Sequence, residues 1–115
     1  MTAYSQGDVV LIPFPFTDFS TTKQRPAVVI SSASFNASHD DVIVMAITSQ
    51  VPEIINEEDY AIAEQEIANA GLLKASLIKP YKITLVAKIL VRKKLGQLPK
   101  PAINTIKSKF LKIIG

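Results

Sequence analysis

At 115 residues the chain has room for one domain, expected over residues 1–115, and 48% hydrophobic content is enough for a core and excludes disorder. No cysteine is present, which excludes disulfides and thiolate chemistry and fits a reducing cytoplasm. The net charge is only +3, but residues 1–71 hold all ten acids and just two bases, Lys23 and Arg25, while residues 72–115 hold eleven bases and no acid.

That asymmetry points to a polyanionic partner, because clustered Lys and Arg displace counterions from phosphates. The alternative is a solvated basic face that serves solubility. The start of the chain lacks a basic stretch followed by an apolar one, so no signal peptide is expected. Its apolar runs fall well short of the roughly 20 residues that span a bilayer, so no membrane association is expected either.

Gly7-Asp8 opens the run Val9-Val10-Leu11-Ile12, short, apolar and β-branched, which predicts a strand. Pro13 and Pro15 end it, since neither can donate to a ladder. Residues 17–25 are polar and predict a loop. Pro26 to Ser31 predicts a second strand, and residues 32–41 a polar connection carrying the one histidine, His39. Val42 to Thr48 is a third apolar run, expected to be buried on both faces.

Residues 49–59 read as a loop with four acids, Glu53, Glu57, Glu58 and Asp59. Tyr60 to Ala63 predicts a short strand, and 64–70 is open between a strand end and a helical turn. Gly71 is a break. Ala75 to Tyr81 and Lys82 to Lys88 read as two strands, and Arg92 to Leu98 as another around Gly96. After Pro99 and Pro101, Ile103, Ile106, Phe110 and Ile113 recur at spacings of three and four, one helix face with Leu111 and Ile114 beside it. Lys109 and Lys112 fall on the opposite side. Pro101 suits a first helical turn, and late lysines suit the negative end of the macrodipole.

Many short strands without a long crossover helix, closed by one amphipathic helix, predict a small curled antiparallel sheet or barrel capped by that helix. One histidine cannot supply a two-histidine acid–base pair. Asp40-Asp41 has the ordinary composition of a solvated loop, and no metal or other cofactor is expected. Neither a phosphate-cradling glycine loop nor a nucleophile elbow is present.

Arg25 stands out. It is one of two bases in an acidic region, at the point where a polar loop enters an apolar strand, and Pro26 biases it toward an extended backbone. A guanidinium held there is suited to clamping a phosphate through two hydrogen bonds. The other role open to it is structural, as a partner of Asp8 or Asp18. Thr48, in Ala46-Ile47-Thr48-Ser49-Gln50, ends a buried strand, where a hydroxyl either faces a ligand or satisfies its own turn.

Three runs carry a resemblance: Gly7-Asp8-Val9-Val10, then Gln24-Arg25-Pro26-Ala27-Val28-Val29-Ile30-Ser31, then Val42-Ile43-Val44-Met45-Ala46-Ile47-Thr48-Ser49. In this order and spacing the chain resembles the MazF/PemK toxins. Phe35-Asn36, Ala70-Gly71-Leu72 and Leu95-Gly96-Gln97-Leu98 extend the similarity nearly end to end. The resemblance implies a mainly β, SH3-like antiparallel barrel with a C-terminal helix, and a homodimer. It also implies a metal-independent endoribonuclease acting on single-stranded RNA, checked by a cognate antitoxin and meeting DNA only through it.

The family's catalytic arginine and threonine fall on Arg25 and Thr48. Attack by the RNA 2′-hydroxyl passes through a phosphorane with added negative charge, which these two would stabilise, leaving a 2′,3′-cyclic phosphate. Ser49, Gln50, Lys23 and Gln24 are the expected substrate contacts nearby. Some members carry an acid in the strand matching Ile78-Lys79-Pro80-Tyr81-Lys82-Ile83-Thr84, and this chain has none. The general base is therefore unassigned, with Tyr81 a poor substitute, and Lys79 and Lys82 give that strand an electrostatic role toward phosphates. The loop before Arg25 also lacks the glycines common in the family, so RNA preference is expected to differ. The same fold also serves gyrase-poisoning toxins, and a non-catalytic nucleic-acid-binding module is a further alternative.

Overall fold

The computed structural model describes residues 3–13 and 24–115. Six strands form one antiparallel sheet: β1 (Asp8–Ile12), β2 (Arg25–Val29), β3 (Asp41–Thr48), β4 (Tyr60–Ala61), β5 (Leu77–Ala87) and β6 (Lys93–Gln97). Their order across the sheet is β4-β5-β3-β2-β1-β6, with the apolar runs β2 and β3 in the middle. Three helices accompany them: α1 (Ala33–Ser38), α2 (Glu64–Ile67) and α3 (Lys100–Ile114). The loop expected over 17–25 lies mostly outside the described residues, and so does Lys23.

Alternation along the central strands explains their composition. Val9, Val28, Met45 and Ile47 face one core with Ile78, Ala102, Ile103 and Ile106. Val10, Ile12, Ala27, Val29, Val42 and Val44 face a second core with Val86. Both faces are covered, so these strands read as continuous apolar runs rather than alternating ones. Each fully buried Val or Ile stabilises the fold by about 1.5–3 kcal/mol.

α3 packs as its periodicity predicts, through Ala102, Ile103 and Ile106, with Phe110 against the same core. Pro101 lies in its first turn, where a missing N–H costs nothing. Its last turn departs from the expectation: Ile113, placed on the packed face by its spacing, is exposed, and Leu111 and Ile114 are each 63% exposed. Lys109, expected on the solvent side, is half-buried and donates to the Glu57 carbonyl at 2.6 Å. It therefore ties the helix to the acidic loop.

Two local differences from the sequence-based expectation, and one segment left open by it, have physical causes. The polar connection 32–41 contains α1, capped by the Ser32 hydroxyl accepting from Phe35 N at 3.2 Å. At six residues the helix is too short to show a period. Residues 64–70 resolve as the turn α2, whose Glu66 carboxylate accepts from Ala63 N at 3.1 Å and from the Tyr60 hydroxyl at 3.0 Å. Burial, and then the bond to Glu66, push the Tyr60 phenol up to about 12.

The two strands expected over 75–88 are one continuous strand, β5. Ala46 pairs with Lys79 and Met45 with Ile83, so residues 80–82 bulge out of the ladder. Pro80 sits in that bulge, where its missing N–H is not needed.

Asn36 shows how a polar side chain can hold a short helix. It is 1% exposed, donates to the Tyr4 carbonyl at 3.0 Å and the Ser31 carbonyl at 3.2 Å, and accepts from the Ser31 hydroxyl. Asn36→Ala is expected to orphan these groups and lower stability by about 1–3 kcal/mol. Urea denaturation measures it, and a loss below about 0.5 kcal/mol would show that the network is dispensable. His39 caps the same helix, stacked on Phe35 at 3.9 Å and exposed, with Nδ1 2.9 Å from the Phe35 carbonyl.

Candidate functional site

The β2–β3 pairing brings the two singled-out residues together. Ala27 pairs with Ala46, Val28 with Met45 and Val29 with Val44. Continuing that register two residues sets Arg25 level with Thr48, the first residue of β2 beside the last of β3. Pairing with β3 starts only at Ala27, since Pro26 has no N–H to offer. Arg25 and Pro26 pair with β1 alone, opposite Ile12 and Leu11.

At this end of the sheet lies a cavity of about 320 Å³ lined by Gln24, Arg25, Thr48, Ser49, Lys74 and Ser76. Its apolar wall comes from Leu11, Pro26, Ile47, Leu72, Leu73 and Leu95. Arg25, Thr48, Ser49 and Gln24 thus converge from two strands and the turns beside them. Gln50 is exposed and does not line the cavity; its backbone N–H donates to Thr48 Oγ1 at 3.1 Å. That bond uses the hydroxyl as an acceptor and leaves its proton free to donate, for which no acceptor exists among the described residues.

Arg25 is not tied down by Asp8. The Asp8 carboxylate is 2% exposed and already holds Ser5 N at 2.8 Å, Gln97 Nε2 at 3.0 Å and Lys94 Nζ at 3.2 Å. Asp18 lies outside the described residues. Arg25 Nε is buried and has no hydrogen-bond partner among the described residues. A buried donor in that state is costly unless a ligand supplies an acceptor.

Lys79 and Lys82 do not join this cavity. Lys82 lies in the β5 bulge and Lys79 is the paired residue just before it, where Lys79 Nζ reaches the Tyr81 hydroxyl at 3.0 Å and Asp59 at 3.4 Å. The bond to Tyr81 holds the Lys79 ammonium above its ordinary value; burial works against this and the Asp59 charge adds to it. Asp59 is 4% exposed, so this pair is an internal brace. Tyr81 points to a different hollow, of about 540 Å³, shared with Glu57, Glu58, Lys109, Lys112 and Ile113.

No carboxylate and no imidazole lines the Arg25 cavity among the described residues. Nor do three His, Cys, Asp or Glu side chains gather into a metal-binding group among them. The wall 71–76, with Lys74 and Ser76, carries no motif in the sequence. Its signals are the break at Gly71 and the run Ala70-Gly71-Leu72 in the resemblance, neither of which points to Lys74 or Ser76.

Comparison with known proteins agrees with this architecture. Residues 5–114 match the model of the PemK-like, MazF-like toxins of type II toxin–antitoxin systems. No curated protein sequence matches the chain. Among solved structures the chain is similar to MazF (Form-I) from Deinococcus radiodurans, with TM-score 0.79, 16% identity, and 100% of this chain and 99% of that one covered. It is similar also to an endoribonuclease from a mycobacterial species, with TM-score 0.76, 18% identity and 100% and 94% covered. A mycobacterial endoribonuclease in complex with its cognate antitoxin gives TM-score 0.76 at 16% identity, with 100% and 96% covered. At such identities the likeness concerns the fold.

Proposed function

The chain belongs to the PemK-like, MazF-like toxin family of type II toxin–antitoxin systems, and on that premise we propose that it is an endoribonuclease cleaving single-stranded RNA without a metal ion. One observation carries the proposal: Arg25 and Thr48, far apart in sequence, line a single cavity at level positions on adjoining strands. The RNA 2′-hydroxyl gives its proton to solvent water as its oxygen attacks the phosphorus, the P–O5′ bond breaks and the 5′-oxygen takes a proton from water, leaving a 2′,3′-cyclic phosphate and a 5′-hydroxyl. Arg25 holds the two non-bridging oxygens as their charge grows, and the free Thr48 hydroxyl proton adds a third donor. Ser49 and Gln24 contact the substrate inside the cavity; Gln50, Lys23 and Lys82 contact its backbone outside, while Lys79 stays with Asp59.

The cavity supplies no side chain suited to accepting the 2′-hydroxyl proton among the described residues, so charge stabilisation carries the rate. That same observation favours a second reading, a nucleic-acid-binding module without catalysis. Purified protein incubated with single-stranded RNA in EDTA separates the two. Cleavage with 2′,3′-cyclic phosphate ends is expected; tight binding with intact RNA would favour the module, and cleavage that EDTA abolishes would overturn the metal-free scheme.

The antitoxin partner is an acidic or amphipathic segment lying over the Arg25 groove, drawn by the eleven bases of residues 72–115. A homodimer belongs to the same proposal. Leu85, Ile89 and Leu90, at 56%, 91% and 48% exposure, offer apolar surface for it.

A further inference from the structure

We infer that Lys74 is a second phosphate-binding cation of this site, one that positions the RNA backbone beside Arg25 rather than acting in the chemical step. The inference rests on the ribonuclease reading and deepens it. Of the eleven bases in residues 72–115, Lys74 is the one that lines the Arg25 cavity among the described residues. The others that approach a carboxylate are committed elsewhere, Lys79 to Asp59 and Lys94 to Asp8. Lys74 has no ion-pair partner among the described residues.

A surface lysine is ordinarily a diffuse charge, but this one stands on a braced backbone. Gly71 N donates to the Ala68 carbonyl at 3.0 Å and Leu72 N to the Ile67 carbonyl at 3.1 Å. On the other side the buried Ser76 hydroxyl donates to the Lys74 carbonyl itself at 3.0 Å, and Ile62 N donates to the Ser76 carbonyl at 3.1 Å. Lys74 thus lines the same cavity as the β2–β3 strand ends, on a segment tied at both ends. A cavity with two cations and an apolar wall of leucines fits one nucleotide, its base against the wall and its flanking phosphates on Arg25 and Lys74. Lysine serves the second role as a point charge, without the directional fork that stabilising a phosphorane calls for.

The test measures binding of a fully 2′-O-methylated single-stranded oligonucleotide, which cannot be cleaved, across a salt series, together with steady-state cleavage of the matching RNA. Lys74→Ala is expected to weaken binding about threefold to tenfold at low salt and to flatten the log–log salt slope by about 0.7, the release from one single-strand phosphate contact. In cleavage KM should rise with kcat nearly unchanged. Lys74→Arg should restore both, and Lys107→Ala, on the exposed side of α3, should alter neither. An unchanged slope in Lys74→Ala, or an equal drop in Lys107→Ala, overturns the assignment while leaving the ribonuclease reading intact. Wild-type protein that neither binds nor cleaves RNA overturns both.

Discussion

Arg25→Ala is expected to cut RNA cleavage about 10³-fold, equivalent to about 4 kcal/mol of lost transition-state stabilisation. The size follows from what the cavity contains. Without a carboxylate or imidazole among its described lining residues, the guanidinium is the main group able to answer the charge developing on phosphorus. Arg25→Lys should recover only part of the rate, because an ammonium cannot make the paired, directed bonds of the fork. Stability should change little. Asp8, the carboxylate that might have claimed Arg25, is already filled by Ser5, Gln97 and Lys94. Single-turnover cleavage, with a thermal melt on the same samples, checks both statements. An Arg25→Ala rate within about tenfold of wild type would sink the assignment, as would a loss explained by unfolding.

Gly96→Ala is expected to lower stability by about 3 kcal/mol and to weaken cleavage without touching Arg25 or Thr48. A Cβ on Gly96 would lie 2.2 Å from the Asn69 carbonyl oxygen and 2.6 Å from the Ala70 carbonyl carbon. Gly71 faces it with φ +74, and a Cβ there would lie 2.1 Å from the Leu95 carbonyl oxygen. The obstacles on both sides are backbone and cannot rotate aside, so β6 must move away from the 69–71 turn. Gln97 N donates to the Asn69 carbonyl at 2.9 Å, and that bond would go too. Since Gly71, Leu72, Leu73 and Lys74 line the Arg25 cavity, separating the two backbones opens its wall. Chemical denaturation reads the stability loss. A Gly96→Ala protein as stable as wild type would show that the wall yields freely.

The gyrase-poison alternative draws no support from the site, because its defining features would lie on a protein-facing surface and not in a cavity holding Arg25 and Thr48. The resemblance to the MazF/PemK toxins implies that Arg25 and Thr48 act in one site. The geometry adds the reason: an antiparallel ladder forces the start of β2 beside the end of β3.

Local periodicity was enough to predict β1, β2 and β3, because a strand buried on both faces must be apolar throughout, and enough to predict α3, because Ile103, Ile106 and Phe110 must share one face. Proline placed Arg25 at a strand entry for a reason equally local. Register, bulges and close approaches are different in kind. The continuity of β5 through Pro80 depended on β3 tolerating three unpaired residues. The withdrawal of Lys79 from the site depended on Asp59 being buried beside it. The meeting of Gly71 with Gly96 and the entry of Lys74 into the cavity depended on where β6 closes against the turn before β5. The sequence by itself determined the apolar central strands, the packed start of the last helix and the breaks at proline and glycine, since those patterns are properties of neighbours along the chain. Only the tertiary structure decided which of the many lysines faces Arg25, since like-charged side chains on a surface are told apart only by what folds against them.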